Sequence, residues 1–154
     1  MKAIRALVDT YTGDRLLLSK ATVTLYESVQ EFWVAADDDD RIVGCGALHV
    51  MWEDLAEIRT VAVNPAHRGQ KIGHRIVTEL LGAARELGVA RVFCLTFETR
   101  FFGSFGFTEI DGAPVPHPVY EQLLRSYDEG VAEFLDLERV KPNTLGNTRM
   151  LLHL

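Results

Sequence analysis

The sequence predicts an α+β fold built on a mixed sheet. Three observations point there. Helical spacing opens the chain, and an antiparallel meander of apolar, β-branched runs follows it. A strand–helix–strand unit then leads into a tail of helix and strand.

Each element has a local cause. Ile4, Leu7, Val8 and Tyr11 recur at helical spacing over residues 2–11, and Gly13 stops the pattern. Leu25, Tyr26 and Val29 repeat it from Thr22 to Gln30. Strands are expected at Phe32–Ala36, Ile42–Met51 and Ile58–Val63, the last closed by Asn64-Pro65, since proline cannot continue a ladder. Asp37 to Asp40 separate the first two strands. Such acidic turns are usually only wet, so this one reads as a solvated hairpin turn. Ile72, Ile76, Val77, Leu80, Leu81, Ala84 and Leu87 form one helix face that stops at Gly88. The run Val89–Phe97 reads as a buried parallel strand, which makes the unit a right-handed crossover. A short helix near Arg100–Phe105, a strand from Phe107, helices at Pro118–Tyr127 and Val131–Leu137 and a final strand at Arg149–Leu154 complete the order.

Composition sets bounds on function. The 154 residues, 47% hydrophobic and 25% charged, suit one globular domain over 1–154. A net charge of −6 argues against nucleic acid as the main partner. No apolar run reaches the ~20 residues that span a bilayer, and the first residues lack a signal-peptide pattern. Cys45 and Cys94 lie in apolar runs without CxxC spacing, as buried thiols of a reducing, cytoplasmic compartment do. His49, His67, His74, His117 and His153 show no metal-ligand spacing, so no metal is expected. His117 sits in an extended PVPHPV loop, a candidate border of a substrate entrance.

One loop stands out. NPAHRGQKIGHR joins the strand ending at Val63 to the long helix. Chain entering a helix leaves backbone N–H groups without partners, beside the positive end of the dipole. Gly69 and Gly73 allow close approach, and Arg68, Lys71, His74 and Arg75 add positive charge to an acidic protein. Together these features make a pyrophosphate cradle or, read plainly, a strand-to-helix loop with surface basic residues. Neither the Walker pattern nor the dinucleotide GxGxxG is present.

The stretch EIRTVAVNPAHRGQKIGH resembles the coenzyme-binding motif of the GNAT N-acetyltransferases, Arg/Gln-x-x-Gly-x-Gly/Ala after a strand and before a helix. Lys71 stands where the middle glycine is usual; a helical φ there keeps its amide in place, whereas a positive φ counts against the cradle. ETRFFGSFGFTEI resembles the family's second signature. Longer strings, among them LVDTY, VTLYESVQEFWVA and RSYDEGVAEFLDLERVKPNTLGNTRMLL, resemble the short actinobacterial amino-acid N-acetyltransferases of the N-acetylglutamate synthase type. That resemblance implies the GNAT acyl-CoA N-acyltransferase fold, acetyl-CoA as co-substrate and L-glutamate as acceptor. It also raises a homodimer and L-arginine feedback. The family fold opens with an edge strand before the first helix; this sequence opens inside that helix, so the strand is expected to be missing or to lie upstream.

Site roles follow from the resemblance. Glu57 matches a basic carboxylate; burial among Leu55, Val61 and phenylalanines would raise its pKa for general-base work. Otherwise it is a strand-edge glutamate in a surface salt bridge. Strand alternation places Glu57, Arg59, Val61 and Val63 on one face. The Val61 N–H would polarise the thioester oxygen, and the backbone of Val61, Ala62 and Val63 would hold acetyl and pantetheine groups. Arg68, Gly69, Gln70, Lys71, Ile72, Gly73 and His74 would hold the diphosphate. Phe102 occupies the place of a tyrosine general acid and cannot donate a proton. Water, Ser104 or Tyr127 remain, or no acid is needed. Phe102 and Phe105 wall the pantetheine channel or are plain core. Arg59 is the first candidate for the glutamate carboxylates, with Glu57 or Glu27 as its structural counter-ion otherwise. Lys20, Arg100 and Arg149 follow, the last in a polar stretch that also reads as a capped turn. Glutamine, a peptide amine or a polyamine are alternative acceptors, and a non-catalytic CoA-binding or arginine-sensing module is the alternative of another class.

Overall fold

A computed structural model describes residues 1–12, 17, 21–137 and 146–154. The chain divides into two compact units, Met1–His49 with Ile58–Gly88, and Val50–Glu57 with Val89–Leu154.

The first unit holds α1 (Lys2–Thr12), α2 (Thr22–Glu27), a 3₁₀ turn (Val29–Glu31), β1 (Phe32–Ala36), most of β2 (Ile42–Trp52) and the second part of β3 (Leu55–Val63). A further 3₁₀ turn (Pro65–His67) leads to α3 (Ile72–Glu86). β1 and β2 pair antiparallel, from Phe32↔Ala47 to Ala36↔Ile42. The Asp37 carboxylate closes their hairpin by accepting from the Asp39 and Arg41 N–H groups at 3.0 and 2.9 Å, so the acidic run is a turn as predicted. α1 buries Ile4, Leu7 and Val8 against Cys45 and Ala62. α3 buries Ile72, Ile76, Val77, Leu80, Leu81 and Ala84. It lies close to β2 because Gly44 and Gly46 have no side chains: a Cβ at either would stand 2.7 Å from a methyl of Ile72 or Ile76. Gly88, at φ +79°, ends the helix where the sequence predicts.

The second unit holds β4 (Arg91–Thr96), α4 (Thr99–Gly103), β5 (Thr108–Glu109), α5 (His117–Leu123), α6 (Glu129–Phe134) and β6 (Thr148–His153). The start of β3 pairs parallel with β4, and the ladder ends at Glu57↔Phe93. β6 runs antiparallel to β4 along its whole length and pairs with β5 on its other side. Met51, Leu55, Phe93, Leu123, Val131, Phe134, Leu135 and Leu151 make the core. Phe93 and Phe134 meet edge to face at 5.3 Å.

Hydrogen bonding orders the strands β1-β2-β3-β4-β6-β5, a mixed sheet with helices, as the sequence predicts. Boundaries differ at several places: β4 starts two residues after Val89, the helix expected at Pro118–Tyr127 ends at Leu123, and the one expected at Val131–Leu137 runs Glu129–Phe134. Two further differences have a clear physical cause. The helix expected to Gln30 breaks at Ser28, whose Oγ bonds back to the Thr24 carbonyl at 2.8 Å, and a 3₁₀ turn replaces its end. β3 starts three residues early because Leu55, Ala56 and Glu57 take register from β4, a long-range cause that no local pattern announces. Among the described residues no helix is long and apolar enough to cross a membrane.

Candidate active site

The loop after β3 is held by its own chain. The Asn64 side chain accepts from the Ala66 N–H at 3.0 Å. The amides of Arg68 and Gln70 bond the Pro65 and His67 carbonyls at 3.3 and 3.4 Å. Those two of the seven amides expected to face a diphosphate are therefore engaged within the loop. Gly69 lies at φ +81°. Lys71 lies at φ 57°, ψ 21°, which corrects the expectation of a helical φ. A left-handed residue followed by helix turns successive N–H groups toward one point, the geometry of an anion-binding nest. The lysine thus adopts the conformation that a glycine takes without steric cost. The amides of Ile72 and Gly73 follow in the first helical turn, ahead of the first carbonyl four residues back within the helix. Arg68, Lys71, His74 and Arg75 are exposed. The loop fits a pyrophosphate.

In the same unit, the middle of β3 is irregular. Thr60 lies at φ 58°, an outlier for a β-branched residue. Side-chain contacts on either side of it depart from strict alternation. The Val61 side chain lies against Gly46 on the α3 side, while Ala62 packs with Cys45 on the α1 side. Arg59 points toward Glu31 and His49, and His49 shares the Cys45 face of β2. Arg59 and Val61 therefore do not share a face, a correction to the strict alternation expected of Glu57, Arg59, Val61 and Val63. The Tyr11 hydroxyl donates to the Val63 carbonyl, so any further bond to that oxygen uses its second lone pair.

Arg59 Nη2 meets Glu31 Oε2 at 2.9 Å, and His49 Nδ1 meets Glu31 Oε1 at 2.8 Å. The Arg59 side chain is 10% exposed. Burial alone would raise the Glu31 pKa, but the His49 hydrogen bond and the Arg59 and His49 charges outweigh it and hold the carboxyl below its usual range. The roles of Glu31 and His49 and the left-handed Thr60 were not legible in the sequence. Glu31 precedes a strand whose pairing with β2 is a tertiary fact.

In the second unit, Glu57 is 5% exposed, which removes the surface salt bridge as its explanation. It stands at the last rung of the β3–β4 ladder. Gly130 of α6 lies against it: a Cβ there would overlap Glu57 Oε2 and stand 2.8 Å from Cδ. Burial first, and then the Glu57 charge, push the Cys94 thiol well up. Phe102 is buried in an aromatic cluster, 5.2 Å from Phe101 and 5.3 Å from Phe107, and Phe105 is half-buried beside Phe101. Ser104 Oγ donates to the Phe101 carbonyl at 2.6 Å, and Tyr127 is 96% exposed. Arg100 is exposed. Arg149 bonds the carbonyls of Gly112, at 3.0 Å, and Phe134, so its guanidinium bridges backbone. Lys20 lies outside the described residues. No group of three metal-ligating side chains occurs among the described residues.

The family model described as the Acetyltransferase (GNAT) family matches residues 3–107. The chain belongs to the GNAT acetyltransferases. It is 64% identical over 152 residues to an amino-acid acetyltransferase of Mycobacterium tuberculosis (strain ATCC 25618 / H37Rv), covering 97% of this chain and 87% of that protein. An uncharacterized N-acetyltransferase of Chlorobaculum tepidum is 31% identical over 77% of this chain and 76% of its own. Among solved structures, Rv2747 from Mycobacterium tuberculosis in complex with CoA aligns with a TM-score of 0.94 at 63% identity, over 99% of this chain and 93% of that one. An N-acetylglutamate synthase from Neisseria gonorrhoeae, complexed with coenzyme A and N-acetyl-glutamate, shares the fold at a TM-score of 0.78 and 21% identity, over 100% of this chain and 32% of that one. As a GNAT acetyltransferase the protein is an acetyl-CoA-dependent N-acetyltransferase. Its GNAT loop keeps a left-handed residue at the usual glycine position without keeping the glycine.

Proposed function

We propose that this GNAT enzyme acetylates the α-amino group of a free amino acid, L-glutamate, within one acetyltransferase domain over 1–154. The observation that carries the amino-acid class is the 64% identity, across 97% of the chain, to a protein named amino-acid acetyltransferase. The half-buried Arg59 adds a cation suited to a carboxylate. Two buried free thiols suit a reducing cytoplasm.

Acetyl-CoA supplies the acetyl thioester. The Gly69–His74 turn, with the exposed Arg68 and Lys71 side chains, anchors the diphosphate. Val61 donates its N–H to the thioester oxygen, Ala62 and Val63 hold the pantetheine arm by backbone, and Phe102 and Phe105 wall it. Glu57 takes the proton that the ammonium must lose, directly or through one water. The nitrogen then forms its bond to the acetyl carbon, the carbon–sulfur bond breaks and sulfur leaves as a thiolate, while the second proton that the nitrogen sheds in becoming an amide passes to the thiolate or to water. A thiol pKa of ~8.5 makes that departure tolerable without a dedicated acid, which suits Phe102 at the tyrosine position. Arg59 receives a carboxylate of the amino acid. Arg100, exposed, is the second candidate, whereas Arg149 is taken up by backbone carbonyls.

Release of free thiol from acetyl-CoA tests this reading. It should rise on adding glutamate and stay low with polyamines and peptide amines. No rise with any amino acid overturns the reading; a rise with glutamine in place of glutamate narrows it to the amide.

A further inference from the structure

We infer that Glu31 is a positioning residue that, with His49 held on its other oxygen, fixes Arg59 in its substrate-receiving pose. The inference rests on the amino-acid reading above and deepens it.

Glu31 divides its two oxygens between two residues on different strands. Oε1 holds His49 Nδ1 at 2.8 Å and Oε2 holds Arg59 Nη2 at 2.9 Å. The backbone that carries the carboxylate is itself fixed. Glu31 ends a 3₁₀ turn whose backbone N–H bonds the Ser28 carbonyl at 3.0 Å, and β1 begins at the next residue. A bond from Nδ1 to a carboxylate makes that nitrogen the donor and orients the ring. A bond from the guanidinium to a fixed oxygen limits rotamers of a side chain that otherwise has many. The three side chains are 10–21% exposed, so solvent does little to screen the arrangement. Arg59 also precedes Thr60, whose left-handed backbone sets where the strand aims it. The mechanism assigns Glu31 no contact with substrate. Its effect passes through Arg59 and His49.

Charge and reach are separable. Glu31→Asp keeps the charge but shortens the side chain by one methylene, so it cannot span both partners. Glu31→Gln keeps the length and removes the charge. Both variants should raise the KM for glutamate about tenfold. The KM for acetyl-CoA and the calorimetric affinity for CoA, which report a folded protein, should stay within about twofold. A Glu31→Asp variant with wild-type glutamate KM would show that neutralising Arg59 is the whole role, and would overturn the positioning. So would a loss of acetyl-CoA affinity in parallel with glutamate. Should Glu31→Asp fail to fold, His49→Gln gives the same reading from the partner side: about a threefold rise in glutamate KM supports it, no change overturns it. Glutamate turnover by wild type with unresponsive variants sinks this inference alone. A wild-type enzyme that acetylates only amines lacking a carboxylate sinks the substrate reading and this inference together.

Discussion

The loop from Asn64 to Lys71 and the middle of β3 from Glu57 to Ala62 are made of different materials. The loop is built from backbone: capped by Asn64, turned by left-handed residues at 69 and 71, with its charged side chains exposed. The strand is built from side chains: Glu57 buried against Gly130 in one unit, Arg59 clamped by Glu31 in the other. A backbone site tolerates changes of side chain and fails when φ changes. A side-chain site fails when a single functional group is lost, even with the fold intact.

The sharpest break in that comparison is Glu57→Gln. If Glu57 is the base, turnover should drop about a hundredfold or more, the usual loss for a positioned base. CoA affinity by calorimetry should hold, because the loop amides do not involve this side chain. Equal loss of both would mean that Glu57 supports the fold. A non-catalytic module would have no turnover to lose.

Next in size is a pair of glycines. Gly130→Ala would drive a methyl into the Glu57 carboxylate. It should cost about 1–3 kcal/mol of stability, as overpacking does, and lower kcat by displacing the base. Gly82, inside α3, has no atom within 4 Å of a Cβ position. Gly82→Ala should therefore stabilise by roughly 0.5–1 kcal/mol, with kcat unchanged. Urea titration and steady-state rates on both variants check the contrast.

That contrast also separates what the sequence reveals from what it conceals. The helix Ile72–Glu86 was legible because seven apolar residues and a terminal glycine repeat one period. The hairpin and the crossover followed from alternation and proline punctuation. The loop was legible as a candidate cradle because glycines and basic residues cluster between strand and helix. Its finer state was not: a lysine at φ 57° looks like any lysine. The left-handed Thr60 was concealed for the same reason, and with it the face of Val61. Glu31 and Gly130 were concealed because their roles depend on partners 28 and 73 positions away in the chain, Arg59 and Glu57. Arg149 looked like a carboxylate anchor in a polar stretch, and the carbonyls it bonds belong to residues well before it in sequence.

The left-handed positions sharpen the comparison at smaller scale. Lys71→Gly removes a left-handed non-glycine residue worth about 1 kcal/mol of steric cost. Thermal stability should rise slightly, and CoA affinity should fall by less than about 1 kcal/mol, the value of one exposed charge at a helix N-terminus. A large loss of CoA affinity would show that the Lys71 side chain, not its amide, carries the site. Thr60→Gly should relieve a similar cost in the strand. Because Arg59 and Val61 flank it, the extra backbone freedom there should show as raised KM values, with stability no lower. Loop tolerance alongside strand sensitivity is the pattern expected.

The smallest effect is on pH dependence. Glu31 has a native pKa below its usual 4.5: burial pushes it up, and the His49 hydrogen bond with the Arg59 and His49 charges pulls it down further than that. Below 4.5 the unfolded chain takes a proton on this carboxyl before the native chain does. The contribution of Glu31 to stability is therefore complete above that pH and is lost as pH falls through the depressed native value. Glu31→Gln has no such proton to bind. The melting midpoints of wild type and Glu31→Gln should differ most near neutral pH and converge as the pH falls through the depressed native pKa, with wild type the higher throughout the neutral range. Differential scanning calorimetry at a series of pH values reads this directly. Parallel midpoint curves through the acid limb would mean that the Glu31 carboxyl titrates alike in both states and that the clamp on Arg59 and His49 carries no net electrostatic preference.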